Sequence, residues 1–137
     1  MPVRVVDASA LGALVFGEPK AEEMAKALSN GPLVAPALLW FELASVCLRK
    51  IIVHPRRTDD ILKAFKLARH ISVEMVEVDH LAVIELATEA ALTTYDASYL
   101  WLAIHLSGEL VTLDRKLKKA AAGFMKKTGL NLLNTNR

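Results

Sequence analysis

Short apolar runs alternate with longer stretches of helical pattern along the chain. Val3–Val6 reads as a first strand, and Ser9–Val15 as a short helix ended by the turn at 17–19. Lys20–Ser29 has helical composition and stops at Asn30, Gly31 and Pro32. Leu33–Ala35 reads as a second strand, followed by a long apolar helix over Ala37–Ile52 that ends before His54 and Pro55. Thr58 is placed to cap a helix running to about His70, with Asp59 and Asp60 favourable in its first turn. Ser72–Val78 alternates as a strand does. Asp79 can cap a helix to about Ala91, and Asp96 another over Ala97–Leu106 that Gly108 stops. Glu109–Leu113 is a fourth strand, Arg115–Ala122 a helix and Leu130–Leu133 a last short strand. Strands separated by helices predict an α/β fold, a parallel sheet with helices on both faces. With no repeat, linker or low-complexity tract, residues 1–137 read as one domain.

The pattern also places the acids. Ligands of an open parallel sheet bind at the carboxyl ends of its strands. Asp7 directly follows the first strand and Asp114 the fourth, so both fall on that edge. Asp96 starts a helix, and Glu42 lies about one and a half turns into the helix after the second strand. Each of the three aspartates can be explained as a turn or helix cap. Glu42 cannot, because it sits among Leu39, Trp40, Phe41 and Leu43, where an unpaired carboxylate costs several kcal/mol to bury. Four like charges cannot share a pocket without a counter-charge. An all-oxygen set suits a hard divalent cation, Mg2+ or Mn2+, and such sites typically act on phosphates.

Composition narrows the class further. The chain has 137 residues, 53% of them hydrophobic and 23% charged, which describes a globular protein with a real core. A net charge of +2 permits a polyanionic partner without requiring one. The single Cys47 excludes an internal disulfide and reads as a buried thiol. The four histidines lack the spacing of a metal-binding helix pair. Asp7 interrupts the first apolar stretch before a signal sequence could form, and no apolar run reaches the roughly 18 residues of a membrane span. The expectation is a soluble, cytoplasmic protein without a membrane partner.

Four stretches carry a resemblance: VVDASAL at 5–11, FELASV at 41–46, TTYDASYLWLA at 93–103 and LVTLDRKLKKAA at 110–121. Singly they are weak; together and in this order on a βα alternation they are specific. The chain resembles PIN-domain ribonucleases, most closely the short VapC-type toxins of toxin–antitoxin pairs. The resemblance implies a PIN-like twisted parallel β-sheet and a metal-dependent endoribonuclease. It makes Asp7, Glu42, Asp96 and Asp114 the catalytic and metal-binding set, with Ser9 and Thr112 as supporting polar positions. It also implies an RNA substrate, a cognate antitoxin whose tail covers the active site, and a homodimer. Where some members carry a further acid shortly after the last aspartate, this chain has Arg115 and Lys116, which bears on a second metal more than on the first.

Basic residues cluster at 49–50, 56–57, 115–116, 118–119 and 126–127. Arg115 and Lys116 adjoin Asp114 and are the best candidates to hold an RNA backbone. Tyr95 is placed to stack on a base or, more simply, to pack at a helix start. Trp40, Phe41, Tyr99 and Trp101 are candidates for a dimer or antitoxin surface, at least two of them being expected to complete the domain's own core. Two alternatives share the fold: a housekeeping RNA-processing nuclease, and a non-catalytic binding module. A receiver-like phosphoacceptor domain fits less well, since it would want paired acids early and a lysine after a late strand.

Overall fold

The computed structural model describes residues 2–128 and 131–132, with side chains to residue 124. Five strands, β1 (Arg4–Val6), β2 (Leu33–Ala35), β3 (Val73–Met75), β4 (Glu109–Val111) and β5 (Asn131–Leu132), form one parallel sheet. Their order is β3-β2-β1-β4-β5. The helices are α1 (Ala8–Val15), α2 (Ala21–Leu28), α3 (Leu38–Val53), α4 (Thr58–Ala68), α5 (His80–Ala90), α6 (Thr94–His105) and α7 (Arg115–Thr128). From β1 the chain steps outward through β2 to β3, then crosses back to β4 and on to β5. Right-handed crossovers therefore put α1–α4 on one face and α5–α7 on the other. The packing agrees, with α1 against α2, α3 and α4, and α6 against α5, α7, β1 and β4. The α/β architecture expected from the sequence, a parallel sheet with helices on both faces, is the one found.

Central strands covered on both faces need apolar residues at every position, and alternation disappears. Val5 and Val6 are both fully buried, as are Leu110 and Val111 beside them. Beyond the sheet the core is filled by Leu11, Met24, Leu39, Leu43, Leu100, Leu102 and Leu117. Cys47 is a buried free thiol, as expected. Among the described residues no helix is long and apolar enough to cross a membrane.

Several boundaries differ from the sequence reading. Thr58 does not cap α4: it is the first helical residue, and its hydroxyl donates to the Pro55 carbonyl at 2.6 Å, closing a 3-10 turn over Pro55–Arg57 that leads into the helix. The alternating stretch 72–78 forms ladder bonds over only three residues, because β3 is an edge strand paired with β2 alone. The fourth strand ends at Val111, and α7 continues past Ala122 to Thr128. Leu130 and Leu133 of the last predicted strand, and the side chains of Lys126 and Lys127, lie outside what the structure describes.

Asp96 does not cap α6 either. The cap is Thr93, whose hydroxyl accepts the Asp96 N–H at 3.1 Å, and the helix begins at Thr94. The Thr-x-x-Asp spacing of 93–96 carried that signal, since the cap of such a box is its first residue. With Thr93 in the role, the Asp96 carboxylate sits in the first turn, released from capping.

Candidate active site

The strand order reverses between β1 and β4, and the crevice at the carboxyl ends of those two strands is where an α/β sheet binds its ligands. A cavity of about 680 Å3 opens there, and Asp7, Glu42, Asp96 and Asp114 all line it. They arrive from four separate elements, Asp7 and Asp114 from the ends of β1 and β4, Glu42 from the second turn of α3 and Asp96 from the first turn of α6.

Asp7 is the innermost, 5% exposed. As the N-cap of α1 it accepts the Ala10 N–H at 3.0 Å and the Ser9 hydroxyl at 2.7 Å on one oxygen. Its other oxygen accepts the Thr112 hydroxyl. Thr112 in turn accepts the Asp114 N–H at 3.0 Å, and Ser9 accepts the Leu113 N–H at 2.9 Å. Each hydroxyl has one proton and gives it to Asp7, so the 3.3 Å approach of Ser9 to Thr112 is a contact of two acceptors. The supporting positions thus tie the segment after β1 to the segment after β4. Asp114 caps α7 by accepting the Leu117 N–H at 2.9 Å. For Asp7 and Asp114, capping and lining the cavity are one role, because the same turn that starts the helix faces the crevice.

Glu42 answers the puzzle of a carboxylate in an apolar helix. It is half-buried, and the Tyr99 hydroxyl donates to it at 2.6 Å across the crevice between α3 and α6. Its partner is a neutral phenol. Tyr99 is 1% exposed and so serves as core, unavailable to a dimer or antitoxin surface. Trp40 and Trp101 are partly buried, one beneath the Arg69 guanidinium at 4.5 Å and the other stacked on His105 at 4.6 Å. Phe41, at 76% exposed, is the one of the four that faces outward.

The electrostatics follow from burial and proximity. Asp7 is pushed up to about 6 by desolvation, with Asp114 adding to the rise and the Thr112, Ser9 and Ala10 donors opposing it. Burial raises Glu42, the Tyr99 bond opposes, and the charges of Asp96 and Asp114 raise it further. Asp96 is raised by burial and by Asp114, against which the Lys116 ammonium and Thr93 act. The Tyr99 phenol is held far above its ordinary range by burial and its bond to Glu42. The acids sense one another as a group, and what opposes the rise at Asp7 and Glu42 is hydrogen bonding from neutral donors.

As the side chains stand, no three of the described acidic, histidine or cysteine residues are placed to hold a metal ion together. The carboxylate oxygens of Asp7, Glu42 and Asp114 are engaged by Thr112, Ser9, Tyr99 and helix N–H groups instead. The donor chemistry still fits a hard cation: four carboxylates line one crevice, and burial and neighbouring acids disfavour the charge of Asp7, Glu42 and Asp96.

Two further polar residues belong to the cavity, one that escaped the sequence reading and one read there only as part of the basic cluster at 49–50. Ser45 and Arg49 line it with Glu42. The signal was their spacing, since residues 42, 45 and 49 fall on one stripe of a helix. Of the expected RNA contacts, Lys116 is close enough to favour the Asp96 carboxylate, and Arg115 is exposed. Tyr95, expected more simply to pack, is 61% exposed at the cavity rim.

The family model of the PIN domain matches residues 4–123. The chain is 33% identical to Ribonuclease VapC3 of Pyrobaculum aerophilum over 125 residues, which cover 82% of this chain and 90% of the relative. Among solved structures it resembles PAE2754 from Pyrobaculum aerophilum with a TM-score of 0.71 and 26% identity, covering 87% of this chain and 84% of that one.

Proposed function

The chain belongs to the PIN-domain family, and from that membership we propose that it is a VapC-type nuclease, a metal-dependent endoribonuclease that hydrolyses RNA phosphodiesters. The observation that supports this reading best is the convergence of four carboxylates from distant segments on the switch-point crevice. Asp7, Glu42, Asp96 and Asp114 would hold Mg2+ or Mn2+. When bound, the cation supplies Lewis-acid chemistry, offsetting charge that builds on the phosphoryl group and making water more acidic.

The chain's own residues do the rest. Ser9 and Thr112 hold Asp7 in one orientation, and Tyr99 holds Glu42 against the opposite wall. Asp96, standing in the first turn of α6, brings its carboxylate to the same crevice and would help position the cation and its water. Arg49 and Lys116 flank the crevice as positive groups for the backbone phosphates on either side of the cut.

In the same reading the protein is the toxin of a toxin–antitoxin pair, working in the cytoplasm as a homodimer and restrained by a cognate antitoxin. The exposed apolar face of α3, with Phe41, Leu48, Ile52 and Val53, supports a protein partner. The test is RNA cleavage by purified wild type, Asp7→Asn and Asp96→Asn in Mn2+ and in chelator. Chelator and either substitution should reduce cleavage by more than about 10-fold, the lower end of what losing even a group that supports a metal ligand costs. Wild-type cleavage by both variants would sink the mechanism.

A further inference from the structure

A second cavity, of about 590 Å3, lies beside the acidic one. Its walls come from the start of α3, the β3–α5 connection, α5 and the first turn of α6. They are mainly apolar, with Pro36, Leu38, Val78, Val83 and Ile84 contributing. Leu38 and Tyr95 line both cavities, so the two adjoin at these residues. Tyr95 immediately precedes Asp96 in α6, and its ring is largely exposed at this divide. Glu77 and His80, both exposed, add polar groups to the same lining.

We propose that this cavity is a nucleobase subsite, in which the base next to the scissile phosphate stacks against Tyr95. The proposal rests on the ribonuclease reading and adds to it the part of the substrate that is recognised beside the cut. A nucleotide is a charged phosphate joined through a sugar to a flat, largely apolar ring. The structure offers the same division: a crevice of acids suited to a cation and phosphate, and next to it an apolar hollow with an exposed aromatic at the boundary. Unpaired bases are held on proteins in this way, by stacking on tyrosine and by hydrogen bonds at the ring edges. An aliphatic side chain from a protein partner would fill the hollow without using Glu77, His80 or the Tyr95 face.

The experiment maps a cut in RNA oligonucleotides with Mn2+, then compares that oligonucleotide with versions abasic on either side of the cut. Wild type should cut one abasic version about 5- to 150-fold more slowly than the intact RNA, the range given by one base–aromatic stack. Tyr95→Ala removes the ring and Ile84→Trp fills the hollow. Both positions are exposed, and circular dichroism checks that the variants fold. In each variant the ratio of rates on intact and abasic RNA should collapse toward one. Equal cutting of all oligonucleotides by wild type overturns the subsite while leaving the nuclease intact, as does a wild-type ratio in both variants. A wild-type ratio together with a shift from dimer to monomer in light scattering would assign the cavity to a second copy of this chain. A wild-type protein that cuts no RNA in Mn2+ overturns the nuclease reading and the subsite with it.

Discussion

Asp7→Asn should change the stability of the metal-free protein by an amount that depends on pH, and the sign follows from burial. An unfolded aspartate releases its proton near 3.8, whereas Asp7 in the native protein holds it to about 6. Between these values the folded state binds a proton that the unfolded chain has lost, so native stability falls as pH rises through the window. Above about pH 6 the full penalty stands, about 3 kcal/mol at about 1.4 kcal/mol per pKa unit. Of this, about 2 kcal/mol develops between about pH 4.5 and about pH 7.5. Asparagine carries no such slope. It keeps the acceptor that Ala10 and Ser9 use, but it presents an amide to the Thr112 hydroxyl, a mismatch that costs about 1 kcal/mol at every pH. The measurement is therefore a difference of differences: urea or thermal melts of both proteins in chelator at the two pH values. Relative to wild type, the asparagine protein should gain about 2 kcal/mol from low to high pH, roughly 8 °C in Tm. Adding Mn2+ at high pH should return the advantage to wild type, since a bound cation favours the carboxylate. A gap between the two proteins that stays constant with pH would refute the claim that Asp7 is held against its own charge.

Glu42→Gln should keep the Tyr99 bond, because the amide carbonyl still accepts it. Mn2+ affinity by calorimetry should then fall about 10-fold or more, while the metal-free Tm stays level or rises. Glu42→Ala instead strands a buried phenol hydroxyl and should cost about 1–3 kcal/mol; equal metal-free melts for the glutamine and alanine proteins would deny the Tyr99 partnership. Gly108→Ala places a methyl group 2.6 Å from the Val3 carbonyl oxygen, where the turn after α6 meets the start of β1. It should destabilise by about 1–3 kcal/mol in urea, and a wild-type midpoint would contradict that close approach.

Local chemistry made most of the elements and the acids readable. Asp79 caps α5 as its position suggested, and the apolar run of β1 marked a strand buried on both faces. What the sequence left hidden was long-range. Glu42 was conspicuous as a charge without a local partner, yet nothing within a turn of it names Tyr99, 57 residues away. Thr58 and Asp96 were misjudged as caps for a different reason. Several polar residues stood close together at each helix start, and composition alone does not say which one adopts the extended backbone of a cap.

The pairing of β1 with β4 explains how so small a sheet holds the crevice to one geometry. The strands meet with Arg4 opposite Glu109, Val5 opposite Leu110 and Val6 opposite Val111. At the amino end an ion pair joins Arg4 to Glu109 at 3.3 Å, and at the carboxyl end Thr112 donates to Asp7. Both side-chain pairs are separated by the same 105 residues, so they report one register from opposite ends of the ladder. Because these strands are apolar on both faces, burial alone discriminates weakly against a slip, whereas a slip of one or two residues would break both pairs at once. Three ladder positions are few for a strand, and the polar contacts at the two ends supply the register that length does not. The residues that orient Asp7 in the crevice therefore also fix the alignment of the two strands that bring Asp7 and Asp114 together.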